Sequence, residues 1–273
     1  MLPIRVNLCK RLYCLFQCNV YLNMRLILLF SVLFNFAGAQ TKTIHVVVAL
    51  CDNKYQGIVP VPAKIGNGQD PANNLYWGCG YGVKTFFKKQ PEWKLVKLIL
   101  NPDSNIYERV IFKHKTSNTY LIADAYDGAY IKKSIRHFLN YAAGRDKKEI
   151  KLDDLGLKIG GNAELVCFVG HNGLMDFELP DPSRKADEIK RDVGVFCCAS
   201  KSYFTDHIKE TGAYPLIWTS NLMCPEAYTL HALVNSWIKK DKASVTREKV
   251  AASYTQYHKC GMKGAMGLFV TGF

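Results

Sequence analysis

A histidine and a cysteine each follow a short apolar stretch of this chain. Residues 165–170 (Leu-Val-Cys-Phe-Val-Gly) lead into His171, and residues 193–197 (Val-Gly-Val-Phe-Cys) lead into Cys198. Each stretch is typical of a strand that is buried on both faces of a parallel sheet. Because consecutive strands are usually neighbours in space, we expect the two side chains to face each other across adjacent loops. An imidazole beside a thiol can accept its proton, which would give the thiolate nucleophile of a cysteine hydrolase.

Acyl transfer of this kind also needs N–H groups that receive the negative charge of the tetrahedral intermediate. Gly173 leaves room for a close backbone approach, and the N–H of Cys198 is the natural second donor. The alternative interpretation is packing, since buried cysteines often act as small hydrophobic residues and histidines at strand ends are often hydrogen-bonded within a core. Cys197 directly precedes Cys198, and because neighbouring strand residues point to opposite faces, only one of the two thiols can face a crevice.

The elements that must position these residues alternate between strand and helix patterns. Apolar or β-branched runs predict further strands at residues 44–50, 95–100, 110–112, 120–123 and 216–218, and an edge strand within residues 267–272. Helices are predicted to open at Asp70-Pro71, Asp127-Gly128, Pro225-Glu226 and Ser244. This alternation predicts an α/β domain with a mostly parallel sheet and helices on both faces. Ligands bind at the carboxyl ends of the strands in such sheets, and Asp52 and Asn53 follow the first strand there.

The N-terminal segment has the pattern of an export signal. From Met24 onward, Arg25 supplies positive charge, residues 26–36 are apolar, and Ala37-Gly38-Ala39 has the small-residue form of a cleavage site. The apolar run is shorter than the roughly 20 residues that span a bilayer. We therefore predict that residues 1–39 are an extension plus a signal peptide and that residues 40–273 are a single exported domain, periplasmic or extracellular, with no stable membrane span after cleavage.

The charge distribution and the cysteine spacing argue against nucleic-acid binding and against a metal or other cofactor. The chain has 36 basic and 23 acidic residues, a formal charge of +13, but the lysines occur as scattered pairs rather than as a basic stripe interleaved with aromatics. This distribution predicts a solvated surface and no nucleic-acid partner. The seven cysteines after residue 39 are an odd number and form neither a CxxC pair nor a Cys/His box, so we predict at least one free thiol and no metal or other cofactor.

The two polar strand ends are similar to the motifs of a known superfamily. Phe-Val-Gly-His171-Asn-Gly and Phe-Cys-Cys198-Ala-Ser resemble the histidine and cysteine motifs of the caspase-like (clan CD) cysteine peptidases, closest to the legumain-type branch. The segment from Trp218 through Ser220-Asn221 to Pro225-Glu226 resembles the stretch that borders the substrate pocket in that branch. Asp52-Asn53 stands where legumain-like enzymes have an asparagine that orients the histidine.

The resemblance implies a three-layer caspase-like fold and an exported cysteine endopeptidase that acts on a peptide or protein substrate without a cofactor. It implies His171 as general base or acid, Cys198 as the nucleophile that forms an acyl-enzyme, and the amides of Gly173 and Cys198 as the oxyanion hole. Residues expected to orient the histidine or to line the pocket are Asp52, Asn53, Asp176, Ser220 and Asn221.

Two other functions stay open on the sequence. Asn172 separates His171 from Gly173, a departure from the family pattern that is compatible with a secreted binding module of the same fold without catalysis. The third interpretation is a flavodoxin-like ligand-binding domain in which both motifs are packing.

Overall fold

A central strand carries the core on both of its faces. The computed structural model describes residues 40–273, in which strand β1 (Lys42–Ala49) is almost wholly buried. Its alternate side chains divide between two cores: Ile44, Val46 and Val48 join one cluster, and Val47 and Ala49 join the other. This two-residue period is the geometry of an extended strand, and the β-branched sequence suits a strand covered on both sides.

Strand β1 belongs to one mixed sheet of eight strands, in the order β10-β9-β8-β7-β1-β4-β3-β2. The strands are β2 (Trp93–Asp103), β3 (Ile106–His114), β4 (Thr119–Tyr126), β7 (Leu165–Val169), β8 (Asp192–Phe196), β9 (Tyr214–Thr219) and β10 (Phe269–Val270). Strands β4, β1, β7, β8 and β9 are mutually parallel, whereas β2, β3 and β10 pair antiparallel at the two edges.

Helices cover both faces of this sheet. On one face lie α1 (Val83–Lys89), α4 (Ala227–Ile238), α5 (Ala243–His258) and α6 (Gly261–Leu268), and on the other lie α2 (Ile131–Ala142) and α3 (Ser200–Thr211). The fold is therefore a three-layer α/β arrangement with a mostly parallel sheet, as the sequence predicts. Residues 41–273 form one compact unit, and no helix within the described residues 40–273 combines the length and apolar character needed to cross a bilayer.

A buried ionic network links the sheet to a small hairpin that the sequence patterns did not reveal. The hairpin consists of β5 (Lys147–Leu152) and β6 (Leu155–Gly160). Asp124 on β4 accepts two hydrogen bonds from the Arg109 guanidinium, at 2.6 and 2.7 Å, and one from His45 Nε2 at 3.0 Å. The other ring nitrogen of His45 accepts the N–H of Gly160 at 2.9 Å, so the hairpin end is joined directly to β1.

Two helix predictions were wrong at their N-terminal ends. The chain from Asp70 makes a series of turns, and the helix begins only at Val83, because Gly78 and Gly82 pack so closely against neighbouring backbone that an added Cβ would lie 2.1 and 2.4 Å from it. Helix α5 has Lys242 rather than Ser244 at its N-cap. The predicted signal peptide lies outside the described residues.

Candidate active site

The register of the sheet brings His171 and Cys198 to the same level. Val169 at the end of β7 is paired with Phe196 at the end of β8, and each candidate residue stands two positions beyond its strand's paired residue. The N–H of Gly170 also donates to Phe196 O at 3.2 Å, which holds the C-terminal ends of β7 and β8 together. Parallel strands present their carboxyl ends at one edge, so both side chains emerge at the same side of the sheet.

A tight turn presents Cys198 between β8 and α3. Ala199 has φ 47° and ψ 34°, a left-handed conformation that costs a residue with a Cβ about 1 kcal/mol or more. Buried hydrogen bonds fix this turn: the Ser200 hydroxyl donates to Val195 O at 3.0 Å, and the Ser200 N–H donates to the Thr219 hydroxyl at 3.1 Å. Backbone strain that is held in place by such a network is common where a side chain must be aimed at a site.

The structure separates the two neighbouring cysteines. Cys197 is fully buried in the core under α2 and α3, and burial raises the pKa of its thiol well above the ordinary value. Cys198 is only partly buried and lines a cleft of about 510 Å³ at the carboxyl edge of the sheet. None of the seven cysteines within residues 40–273 forms a disulfide. Cys198 is therefore the thiol of the pair that can meet a ligand.

The Cys198 thiol is hydrogen-bonded to the backbone of one residue, Met223. Its S–H donates to Met223 O, and the Met223 N–H donates to Sγ, both at 3.3 Å. Met223 lies in the loop after β9, which forms one wall of the cleft. The thiol is thus held in one place by backbone, with its remaining side open to the cleft.

His171 lines the same cleft and is oriented by a carboxylate. Its Nε2–H donates to Asp176 Oδ2 at 2.8 Å, and the same oxygen accepts the N–H of Gly57 at 3.0 Å. No hydrogen bond joins His171 to Cys198 within residues 40–273, and the second ring nitrogen of His171, Nδ1, has no hydrogen-bond partner there. The ring therefore keeps one nitrogen available for proton transfer while the other is anchored.

Asn172 connects the histidine loop to the cysteine loop. The residue is completely buried, its side-chain N–H₂ donates to Cys198 O at 2.7 Å, and its side-chain oxygen accepts the N–H of Leu174 at 3.2 Å. A buried amide with both ends paired rigidifies the groups that it joins. Asn172 thus has a positioning role that sequence reasoning missed, although a polar residue of this type directly after a buried strand was the available signal.

The two N–H groups expected to form the oxyanion hole differ in whether they already donate a hydrogen bond. The N–H of Gly173 already donates to His171 O at 3.1 Å, and Phe177 packs where a Gly173 side chain would lie. The N–H of Cys198 makes no hydrogen bond within the described part of the chain. Of the two predicted donors, only Cys198 therefore has a free N–H in this conformation.

Four of the predicted site residues have hydrogen-bond partners other than His171 within residues 40–273. Asp52 accepts the backbone N–H groups of Lys54 and Tyr55 at 2.8 and 3.1 Å, and the Asn53 side chain bonds the backbone of Val61 in both directions. Ser220 donates to Gly267 O at 2.7 Å, and Asn221 O accepts the N–H of Ala199 at 2.9 Å. Asp52 and Asn53 thus shape the loop that forms the other cleft wall, and it is Asp176 that orients the histidine.

No family model, curated protein or solved structure matches this chain. The assignment of a function therefore depends on the geometry of the site itself.

Substituting Asp176 by asparagine tests its positioning role. If the site hydrolyses peptides, we expect kcat to fall on the order of 10²-fold, the lower end of what a positioned acid–base group contributes, with KM changed less than about threefold. Asparagine keeps the size of the side chain but removes the charge that holds the ring. Asp206→Asn, at an exposed carboxylate on α3, is the control and should leave both constants unchanged. Equal changes in the two variants would contradict the role of Asp176.

Proposed function

We propose that this protein is a cysteine peptidase of the caspase-like type, in which Cys198 is the nucleophile and His171 transfers protons. The observation that carries the proposal is that these two side chains stand at equivalent positions beyond adjacent parallel strands and line one cleft. The pairing of His171 with Asp176 adds support, because a catalytic imidazole needs a partner that fixes its orientation.

The proposed reaction follows from these contacts. His171 takes the thiol proton at Nδ1 while Nε2 stays bonded to Asp176, and the Cys198 thiolate attacks the peptide carbonyl carbon. The carbonyl oxygen gains the negative charge and accepts a hydrogen bond from the free N–H of Cys198. The C–N bond then breaks, His171 gives its proton to the departing amine, and a water molecule hydrolyses the thioester to release the acid and restore the thiol.

The N-terminal pattern of residues 24–39 extends the proposal to an exported enzyme. The rival is a binding module with the same fold, and one observation favours it: the thiol donates to Met223 O rather than to His171. A thiolate cannot make that bond, so in the proposed peptidase the thiol must leave Met223 O when it gives its proton to His171.

Covalent trapping distinguishes them. The protein is treated with a peptidyl acyloxymethyl ketone, which reacts with a catalytic thiolate, and the modified cysteines are located by mass spectrometry. Cys224 and Cys260 are exposed and serve as internal controls for general thiol reactivity. We expect one adduct, on Cys198, and iodoacetamide should label the exposed thiols as well. Adducts confined to Cys224 and Cys260 would contradict the peptidase.

A further inference from the structure

The walls of the cleft beside Cys198 are apolar. Ile58, Val59 and Val61 come from the loop after β1, and Leu222, Met223 and Pro225 come from the loop after β9. Two of these side chains are open to solvent, Val59 at 88% and Leu222 at 68% exposure. Apolar groups that surround a reactive thiol and are uncovered in the free protein are suited to contact with an apolar ligand.

Charge in the cleft is confined to one carboxylate. Within the described residues, neither lysine nor arginine lines it, so apart from the His171 imidazole, which already pairs with Asp176, nothing there would compensate an acidic side chain. Glu226 is the only acidic residue of the lining, and its Oε2 accepts the Tyr228 hydroxyl at 2.8 Å and lies 3.6 Å from His258 Nε2. This carboxylate therefore already has partners on its own side of the wall.

The position of Sγ indicates which part of a substrate meets these walls. The acyl group of a substrate becomes bonded to Sγ, and Sγ lies 3.3 Å from both the N and the O of Met223. The residue that supplies the scissile carbonyl then lies beside the Met223 wall of the cleft, to which Leu222 also belongs.

We propose that the substrate carries a large aliphatic or aromatic side chain, such as leucine, methionine or phenylalanine, on the acyl side of the scissile bond. This inference rests on the proposed peptidase function and adds its substrate class. The volume of about 510 Å³ accommodates such a side chain together with the adjoining backbone, within the usual size of ligand pockets. Binding would cover Leu222 and Val59, so the gain comes from removing apolar surface from water.

The experiment compares acyloxymethyl ketone probes that differ only in the residue next to the reactive group. Leucine, methionine and phenylalanine probes are measured against aspartate, asparagine, lysine and arginine probes by the rate at which Cys198 is modified. We expect the apolar probes to react at least about tenfold faster, the discrimination that an apolar pocket commonly reaches. A flat profile, or a preference for a charged or amide side chain, would overturn the substrate class while leaving the peptidase intact. If no probe modifies Cys198, the peptidase fails and the substrate class with it.

A pair of variants assigns the preference to the cleft. Leu222→Lys should slow the leucine probe by about tenfold and narrow its advantage over the aspartate probe, because it places a charge on an apolar wall. Leu100→Lys is the matched control, since Leu100 is exposed to a similar extent, 63%, but stands on edge strand β2 away from the cleft. Unchanged probe rates in Leu222→Lys would overturn the assignment of this wall.

Discussion

Replacing Cys198 by alanine is expected to lower kcat/KM for peptide hydrolysis by on the order of 10⁴-fold or more. The substitution removes the proposed nucleophile, while the walls of the cleft keep their side chains. The fold should tolerate the change, since the hydrogen bonds of the thiol within residues 40–273 are the two of 3.3 Å with the Met223 backbone, and weak hydrogen bonds of this kind contribute about 1 kcal/mol or less. Hydrolysis rates and thermal unfolding curves of the purified variants provide the measurement.

Cys224→Ala is the matched control for that experiment. Cys224 lines the same cleft and is more exposed than Cys198, but it does not stand at the carboxyl end of a parallel strand. Its removal should leave kcat/KM within a few-fold of wild type. Retained hydrolysis in Cys198→Ala, or a loss confined to Cys224→Ala, would show that the nucleophile has been assigned to the wrong residue.

The largest expected effect on stability is at the buried ionic network of Asp124, Arg109 and His45. Asp124→Asn should reduce the free energy of unfolding by about 3 to 5 kcal/mol, because it leaves the charged Arg109 guanidinium without its counterion in the interior. Asp124 is completely buried, and Arg109 is nearly so. The control is Glu210→Gln, which removes an exposed ion pair with Arg184 at 3.7 Å and should cost less than about 1 kcal/mol. Denaturant unfolding followed by circular dichroism measures both, and equal losses would contradict the role of the network.

The same network predicts the direction of a pH effect. Burial alone would raise the pKa of Asp124, but hydrogen bonds from Arg109 and His45 hold it at about 2. A carboxyl whose pKa is lowered in the folded state stabilises the fold above its ordinary pKa near 4 and loses that contribution as the pH falls toward about 2. The stability gap between wild type and Asp124→Asn should therefore narrow by about 2 kcal/mol from neutral pH to pH values near 2. A gap that widened on acidification would contradict this assignment.

The strands and several helices were predictable because their signals are local. Strands β1, β7 and β8 are short apolar runs, which predict buried strands. The helix at Ile131–Ala142 follows from apolar side chains at three- and four-residue spacing. The glycine-rich segment before Val83 was wrongly predicted to be helical, since its turns depend on close backbone contacts that do not appear as a periodic pattern in the sequence. Hairpin β5-β6 was missed because its exposed charged residues lack a strand pattern and it is held by His45 from a distant strand.

The candidate site also has features that the sequence predicts and features that need the tertiary structure. By itself, the sequence determined that a histidine and a cysteine follow two successive buried strands, because alternation of apolar runs and polar ends is a property of short segments. Only the tertiary structure decided that Cys198 rather than Cys197 enters the cleft, that Asp176 rather than Asn53 orients His171, and that Asn172 ties the two loops together. The physical reason is that these outcomes depend on strand register and on contacts between loops that are distant in the chain. A shift of one residue in the register would turn every side chain of a strand to the opposite face of the sheet.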